Sequence, residues 1–282
     1  MLGSATFLSA AILGGVSLGF GVLIAIANKK LRVWEDPRID AVSDMLPGSN
    51  CGACGAAGCR VFAEELIAGA RQPAQCTQLG GDDVLDVATY LGVDAGEAVK
   101  RVARLLCAGG SNVTVRIAEY RGVQTCGAAA AVAAGGKACG WACLGLADCE
   151  RVCDYDAIYM NEHDLPVVLP EACTACGDCV DGCPRDLFTI MPVEQKLIVQ
   201  CRSLLEGDEA EALCKVACNG CGLCATDGAP ELIHIVDGLA VIDYELNQRA
   251  EPKAIERCPT GAITWVESQQ FGREPNTLGI ET

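Results

Sequence analysis

The chain carries 20 cysteines in 282 residues, and their intervals repeat. Cys173-x2-Cys176-x2-Cys179-x3-Cys183, followed by Pro184, is the spacing in which three thiolates hold one [4Fe–4S] cluster and the fourth reaches a second cluster. Moving back 75 positions from Cys201, Cys214, Cys218, Cys224 and Cys258 lands on Cys126, Cys139, Cys143, Cys149 and Cys183 without a gap. Five matches at one offset indicate an internal duplication of a cluster-binding unit. A chain patterned in this way folds around inorganic centres, and its chemistry is electron transfer.

Two other uses of cysteine compete with this reading. Disulfide frameworks belong to short secreted chains, and CxxCxxC triplets set sulfurs too near in sequence to pair with one another. With His163 and His234 the only histidines, zinc fingers of mixed cysteine and histidine ligation are excluded, which leaves zinc held by four cysteines. The CxxCxxCxxxCP order favours iron–sulfur, and either metal places the domains in a reducing compartment. A net charge of −16 excludes nucleic acid as a partner, because binding there needs basic patches to neutralise phosphate. An acidic redox partner would have to dock on a local basic patch.

Met1 to Asn28 contains no charged side chain, and Ala5 to Ala27 is long enough to cross a bilayer. Lys29, Lys30 and Arg32 follow, so the positive-inside rule puts the N-terminus outside and the rest of the chain in the cytoplasm. Ala25-Ile26-Ala27 resembles a signal-peptidase site, but a basic n-region is missing and the lysines lie on the far side, which favours a single-pass anchor in the cell inner (cytoplasmic) membrane. Gly15-xxx-Gly19 gives that helix a small-residue face suited to a partner helix. A lone helix without intramembrane charge is no ion path by itself.

The expected order is an anchor at 1–30, a small helical [4Fe–4S] module at 31–80, a helical linker at 81–125, a two-cluster ferredoxin-like module at 126–195, a degenerate ferredoxin-like module at 196–270 and a tail at 271–282. The class is α+β. Residues 30–45 read as a polar connector. Cys51-x2-Cys54-x4-Cys59 with Cys76 is a three-plus-one metal motif, and Gly52, Gly55 and Gly58 let the backbone wrap tightly. Val61 to Ala70 reads as a helix with Val61, Leu66 and Ile67 facing inward, and Val84 to Leu106 as helical, interrupted at Gly92 and Gly96. Strand-like stretches recur at 157–159, 187–190, 232–235 and 262–265.

Spacing assigns Cys173, Cys176, Cys179 and Cys153 to one cluster, and Cys218, Cys221, Cys224 and Cys258 to another. A neighbouring cluster uses Cys143, Cys149 and the crossing Cys183, but Leu146 stands where its middle cysteine belongs, and Cys139 is the nearest substitute. Copy two lacks its other cluster, since Gly228 replaces Cys153 and residues 247–254 carry no cysteine. That leaves Cys107, Cys126, Cys201 and Cys214, either a fifth cluster bridging the copies or four free thiols. In a variant partition Cys107 completes the Leu146 site while Cys126, Cys139, Cys201 and Cys214 form the bridge. Four clusters follow from the sixteen motif cysteines and a fifth if the last four also ligate.

With these motifs the chain resembles the iron–sulfur B subunit of the Rnf complex, the membrane-bound ion-translocating ferredoxin:NAD oxidoreductase. The likeness rests on one N-terminal helix, CGACGAAGC with Cys76, and GGKACGWACLGLADCERVC followed by ferredoxin motifs. It departs at Gly228, at the missing last CxxCxxC and at Asp154, where proline usually follows the crossing cysteine. The resemblance implies a translocase component that accepts electrons from reduced ferredoxin and relays them to membrane and flavin-bearing subunits and finally to NAD, with Na+ or H+ moved elsewhere in the complex. No phosphate loop or dinucleotide fingerprint, and hence no flavin or nicotinamide site, is seen on the chain, so it holds no complete active site. The alternatives are a polyferredoxin of another membrane complex (hydrogenase, dehydrogenase or sensor-reducing system) and a redox-inactive four-cysteine zinc module.

Overall fold

A computed structural model of the chain describes residues 2–31, 36–97 and 99–272. Met1, Arg32 of the basic flank and most of the tail, residues 273–282, lie outside the described residues. Helix α1 (Leu2–Leu31) is the expected apolar helix, and its window Ile12–Lys30 packs against nothing in the chain. Among the described residues it is the one helix long and apolar enough to cross a membrane.

The segment read as a polar connector contains a helix, α2 (Pro37–Met45). Asp36 caps it, its Oδ1 accepting from the Arg38 N–H at 2.9 Å, and Pro37 supplies a first residue whose φ is already helical. Its Val42 is wholly buried against α3 (Cys59–Ile67). Cys59, Phe62, Ala63 and Leu66 stand at i, i+3, i+4 and i+7, so one stripe of α3 turns both a thiol and three apolar groups inward. Val61 lies off that stripe and is 38% exposed, contrary to the inward position expected for it.

Helix α4 (Gly81–Leu91) adds Val87 to this core and ends at Gly92, whose φ of +66° closes the last turn. The helix expected as far as Leu106 does not resume. Arg101–Leu105 forms strand β1, with Val102 to Leu105 all buried. A continuous buried run carries no period that separates strand from helix, which is why spacing alone misread it.

The remaining chain is short helices and two-stranded ribbons. Strand β1 pairs antiparallel with β4 (Phe188–Pro192), and β2 (Ile158–Met160) with β3 (Pro166–Val168). Strand β5 (Leu197–Val199) pairs with β8 (Ile263–Trp265), and β6 (Ile233–Val236) with β7 (Leu239–Ile242). Strands β2 and β6, like β4 and β8, begin 75 residues apart. Between the strands lie α5 (Cys126–Ala130), α6 (Asp148–Arg151), α7 (Asp178–Asp181), α8 (Gly207–Leu213) and α9 (Leu223–Asp227). The mixture is α+β. Two-stranded ribbons are marginal on their own; here Leu105, Ile158, Leu187 and Phe188 pack with Cys143, Cys149 and Cys179, and Leu197, Leu232 and Ile263 pack with Cys218 and Cys224. The free edge of β1 is closed by Gln270, whose side chain accepts from the Leu105 N–H at 2.9 Å and donates to the Leu105 carbonyl at 3.0 Å.

The phase of α3 makes a direct prediction. Phe62→Ala should cost about 3–5 kcal/mol as a large-to-small core change, whereas Val61→Ala should stay within about 0.5 kcal/mol as a surface change. Denaturant midpoints of the two variants measure the difference.

Candidate metal centres

All twenty cysteines are free thiols, and they gather into five groups. The first is Cys51, Cys54, Cys59 and Cys76, which line one cavity with Asn50, Phe62 and Thr77. Its loop is set by glycines at 52 and 55, with φ of +70° and +82°, joined by the Gly55 N–H donating to the Gly52 carbonyl at 2.7 Å. Asn50 Oδ1 accepts from the Cys59 N–H at 2.8 Å and fixes the start of α3. Arg71 clamps the loop by donating to the Cys54 carbonyl while pairing with Glu65 at 2.6 Å.

Cys153, Cys173, Cys176 and Cys179 line the second cavity, the set that spacing assigned. The third is lined by Cys126, Cys143, Cys149 and Cys183. Neither Cys139 nor Cys107, the two substitutes considered for the Leu146 position, is there; Cys126 is. It arrives on α5, where Thr125 Oγ1 accepts from the Ala128 N–H at 3.2 Å as N-cap and Asp148 Oδ2 accepts from the Gly127 N–H at 3.0 Å. That pair of bonds draws the start of α5 onto the start of α6.

The fourth cavity is lined by Cys107, Cys139, Cys201 and Cys214, so the bridging set contains Cys139 and excludes Cys126, unlike either partition drawn from spacing. Residues 113–115 run against 213–215, with the Val115 N–H donating to the Leu213 carbonyl at 2.9 Å and the Lys215 N–H to the Val113 carbonyl at 3.1 Å. This pairing joins the segment expected to be a helical linker to the second copy. Cys107 Sγ accepts from the Gly109 and Cys143 N–H groups at 3.3 and 3.4 Å, and Cys201 Sγ from the Ser203 N–H at 3.4 Å. In the fifth group, Cys218 and Cys224 lie in one buried cluster with Cys258 packed against it, and Cys221 is set between them on the loop before α9.

Neighbouring groups touch in order. Thr77, next to Cys76, donates its hydroxyl to the Thr174 carbonyl, between Cys173 and Cys176, at 2.7 Å. Tyr155 stands at the same junction, its proton affinity raised by burial and then by Cys51 and Cys176. Spacing gave no sign of this contact, which spans 97 residues. Cys149 and Cys179 share one buried cluster, joining second to third. The Cys143 N–H on Cys107 joins third to fourth, and Cys201 packs against the buried cluster that holds Cys218, joining fourth to fifth.

Burial raises the thiol pKa at Cys76, Cys107, Cys139, Cys143, Cys176 and Cys201, pushes Cys149 and Cys179 up to about 12, and Cys224 to about 11. At Cys258 burial also pushes upward, but N–H groups from Ile263, Thr260 and Ala262, with the Thr260 hydroxyl, outweigh it and the pKa falls. Thiols gathered in fours, with N–H donors on Cys107 and Cys201, are suited to ligation, which removes the protons. Among the described residues, no three His, Cys, Asp or Glu side chains converge closely enough for a single metal ion. In the first four groups the sulfurs surround cavities, which is the geometry a polynuclear iron–sulfur core requires.

A family model described as "Putative Fe-S cluster" matches residues 46–78, the span that holds the first quartet. Over 253 residues the chain is 37% identical to the B subunit of the Na(+)-translocating ferredoxin:NAD(+) oxidoreductase complex of Acetobacterium woodii, covering 90% of this chain and 76% of that protein. It is 33% identical over 255 residues to the B subunit of the ion-translocating oxidoreductase complex of Methanosarcina acetivorans, covering 90% and 96%. It is 35% identical over 255 residues to the B subunit of the proton-translocating ferredoxin:NAD(+) oxidoreductase complex of Clostridium ljungdahlii, covering 90% of each.

The third and fourth cavities predict which thiols belong together. Cys126→Ser should reduce the signal of the centre that Cys149→Ser also affects, and Cys139→Ser that of the centre affected by Cys201→Ser. Double variants within a pair should lose about four iron atoms and those across pairs about eight, as iron analysis and EPR will show.

Proposed function

Because the chain belongs to the family of B subunits of ion-translocating oxidoreductase complexes, we propose that it is the membrane-anchored electron relay of such a complex, taking electrons from reduced ferredoxin and delivering them to partner membrane subunits. The observation that carries this reading is the unbroken order of contacts from the first cysteine quartet to the fifth. [4Fe–4S] clusters bound there supply one-electron storage at low potential. The chain's own residues space the centres, exclude water and aim N–H groups at sulfur.

The fourth quartet gives the relay its continuity. Copy two lacks the cysteines for a second cluster of its own, and Cys107, Cys139, Cys201 and Cys214 occupy the gap between the copies. Cys221, in the fifth quartet, is the exposed cysteine of the twenty, which favours entry of electrons there. The first quartet follows the apolar helix most closely in sequence, which favours exit toward the membrane. Lys29 and Lys30 close that helix and orient it with its N-terminus outside and the quartets in the cytoplasm. The two ferredoxin-like modules are then two cluster-bearing copies, one complete and one completed by its neighbour.

The full chain, purified without oxygen in detergent, should contain about 20 Fe and about 20 acid-labile sulfides. Near-zero iron with stoichiometric zinc refutes the relay. The order is tested by Cys201→Ala: reduced ferredoxin should still reduce the fifth centre within the mixing time, while reduction of the first slows at least about tenfold. Equal rates at both centres refute the linear order.

A further inference from the structure

Lys137 is buried, with 3% of its surface exposed. The backbone on either side is pinned: Gly136 takes a φ of +79°, and a Cβ there would meet the Ala118 carbonyl oxygen at 2.1 Å, while the Ala138 N–H donates to the Val115 carbonyl at 2.9 Å. Nζ donates to the Gly109 carbonyl at 3.0 Å. The N–H of the same Gly109 lies on Cys107 Sγ at 3.3 Å, and the Cys143 N–H lies on it at 3.4 Å. No carboxylate forms an ion pair with Lys137 among the described residues. The Gly109 peptide that holds Nζ thus sits directly on Cys107 of the fourth quartet, and the backbone of Cys143 of the third borders the same sulfur.

A buried cation without a carboxylate partner is strongly unfavourable, and the counter-charge this site offers is that of the clusters that Cys107 and Cys143 would ligate. We propose that Lys137 is a fixed cation that raises the reduction potentials of the clusters at the third and fourth quartets, making the middle of the relay the place where electrons collect. The proposal rests on the reading of these quartets as cluster sites. One-electron reduction adds one negative charge to a centre and requires no proton, and a nearby positive charge in a low-dielectric setting stabilises the reduced form. Lys137 is a tuning residue, since its ammonium supplies no ligand.

The test is an anaerobic redox titration of the full chain, followed by EPR and iron analysis, for wild type, Lys137→Met, Lys137→Gln and Lys137→Arg. Lys137→Met should keep about 20 Fe. Its reduced-to-oxidised ratio at two of the five centres should fall about tenfold at a fixed applied potential, equivalent to about 59 mV for one electron. The other three centres should titrate as before, and Lys137→Arg should restore the wild-type ratio. Full iron with unchanged potentials in Lys137→Met overturns the proposal, as does an equal downward shift in Lys137→Arg. Loss of four iron atoms from both Met and Gln variants also overturns it, because the cation then serves assembly. A wild-type chain without iron refutes the cluster reading instead, so the two failures are distinct.

Discussion

Four thiols gathered at one small cavity repel one another once ionised and lose their hydration when buried, so a fold that repeats this five times depends on ligation to hold each group together. The rise in thiol proton affinity at Cys149, Cys179 and Cys224 is the cluster-free side of that constraint. Ligation exchanges protons for metal and converts mutual repulsion into cross-linking. Ribbons as short as β2 with β3 would not persist alone, and their apolar side chains pack against the cysteines themselves. Stability and electron transfer therefore share the same sulfur atoms.

The 75-residue offset is kept in the strands and broken in how the cysteines group. Position 146 of the first copy corresponds to Cys221 of the second. With leucine at 146, the first copy recruits Cys126; with cysteine at 221, the second has no need of Cys201. That thiol is released and, with Cys214, Cys139 and Cys107, builds the bridging site. The difference at this one middle position goes with the different placing of Cys126 and Cys201, which line separate cavities.

Much of this was legible in the residues. The apolar helix, the α+β class, the strands after each cysteine-rich loop and the convergence of Cys51, Cys54, Cys59 and Cys76 on one cavity and of Cys153, Cys173, Cys176 and Cys179 on another follow from spacing and periodicity. The cap at Asp36-Pro37 was readable by the same rules, yet a charged surrounding sequence disguised it as a connector. Strand β1 was hidden because a run buried on both faces has no period. Val61 was misplaced because the phase of α3 is set by Cys59, which must face the cavity, and a search for apolar residues alone does not weigh that thiol. The partition of Cys107, Cys126 and Cys139 depends on tertiary pairing between residues 113–115 and 213–215, which local spacing does not encode. The contact of Thr77 with Thr174 is of the same kind.

The closure of β1 by Gln270 bears on how the protein is made. Leu105 leaves the ribosome 165 residues before the side chain that satisfies its backbone. The first quartet is complete once Cys76 has emerged, but the bridging site needs Cys214, more than a hundred residues after Cys107. Domains generally fold in the order of synthesis, and long-range closures come late. The first cysteine group can accordingly gather early in synthesis, and the fourth only when nearly the whole polypeptide is free to fold.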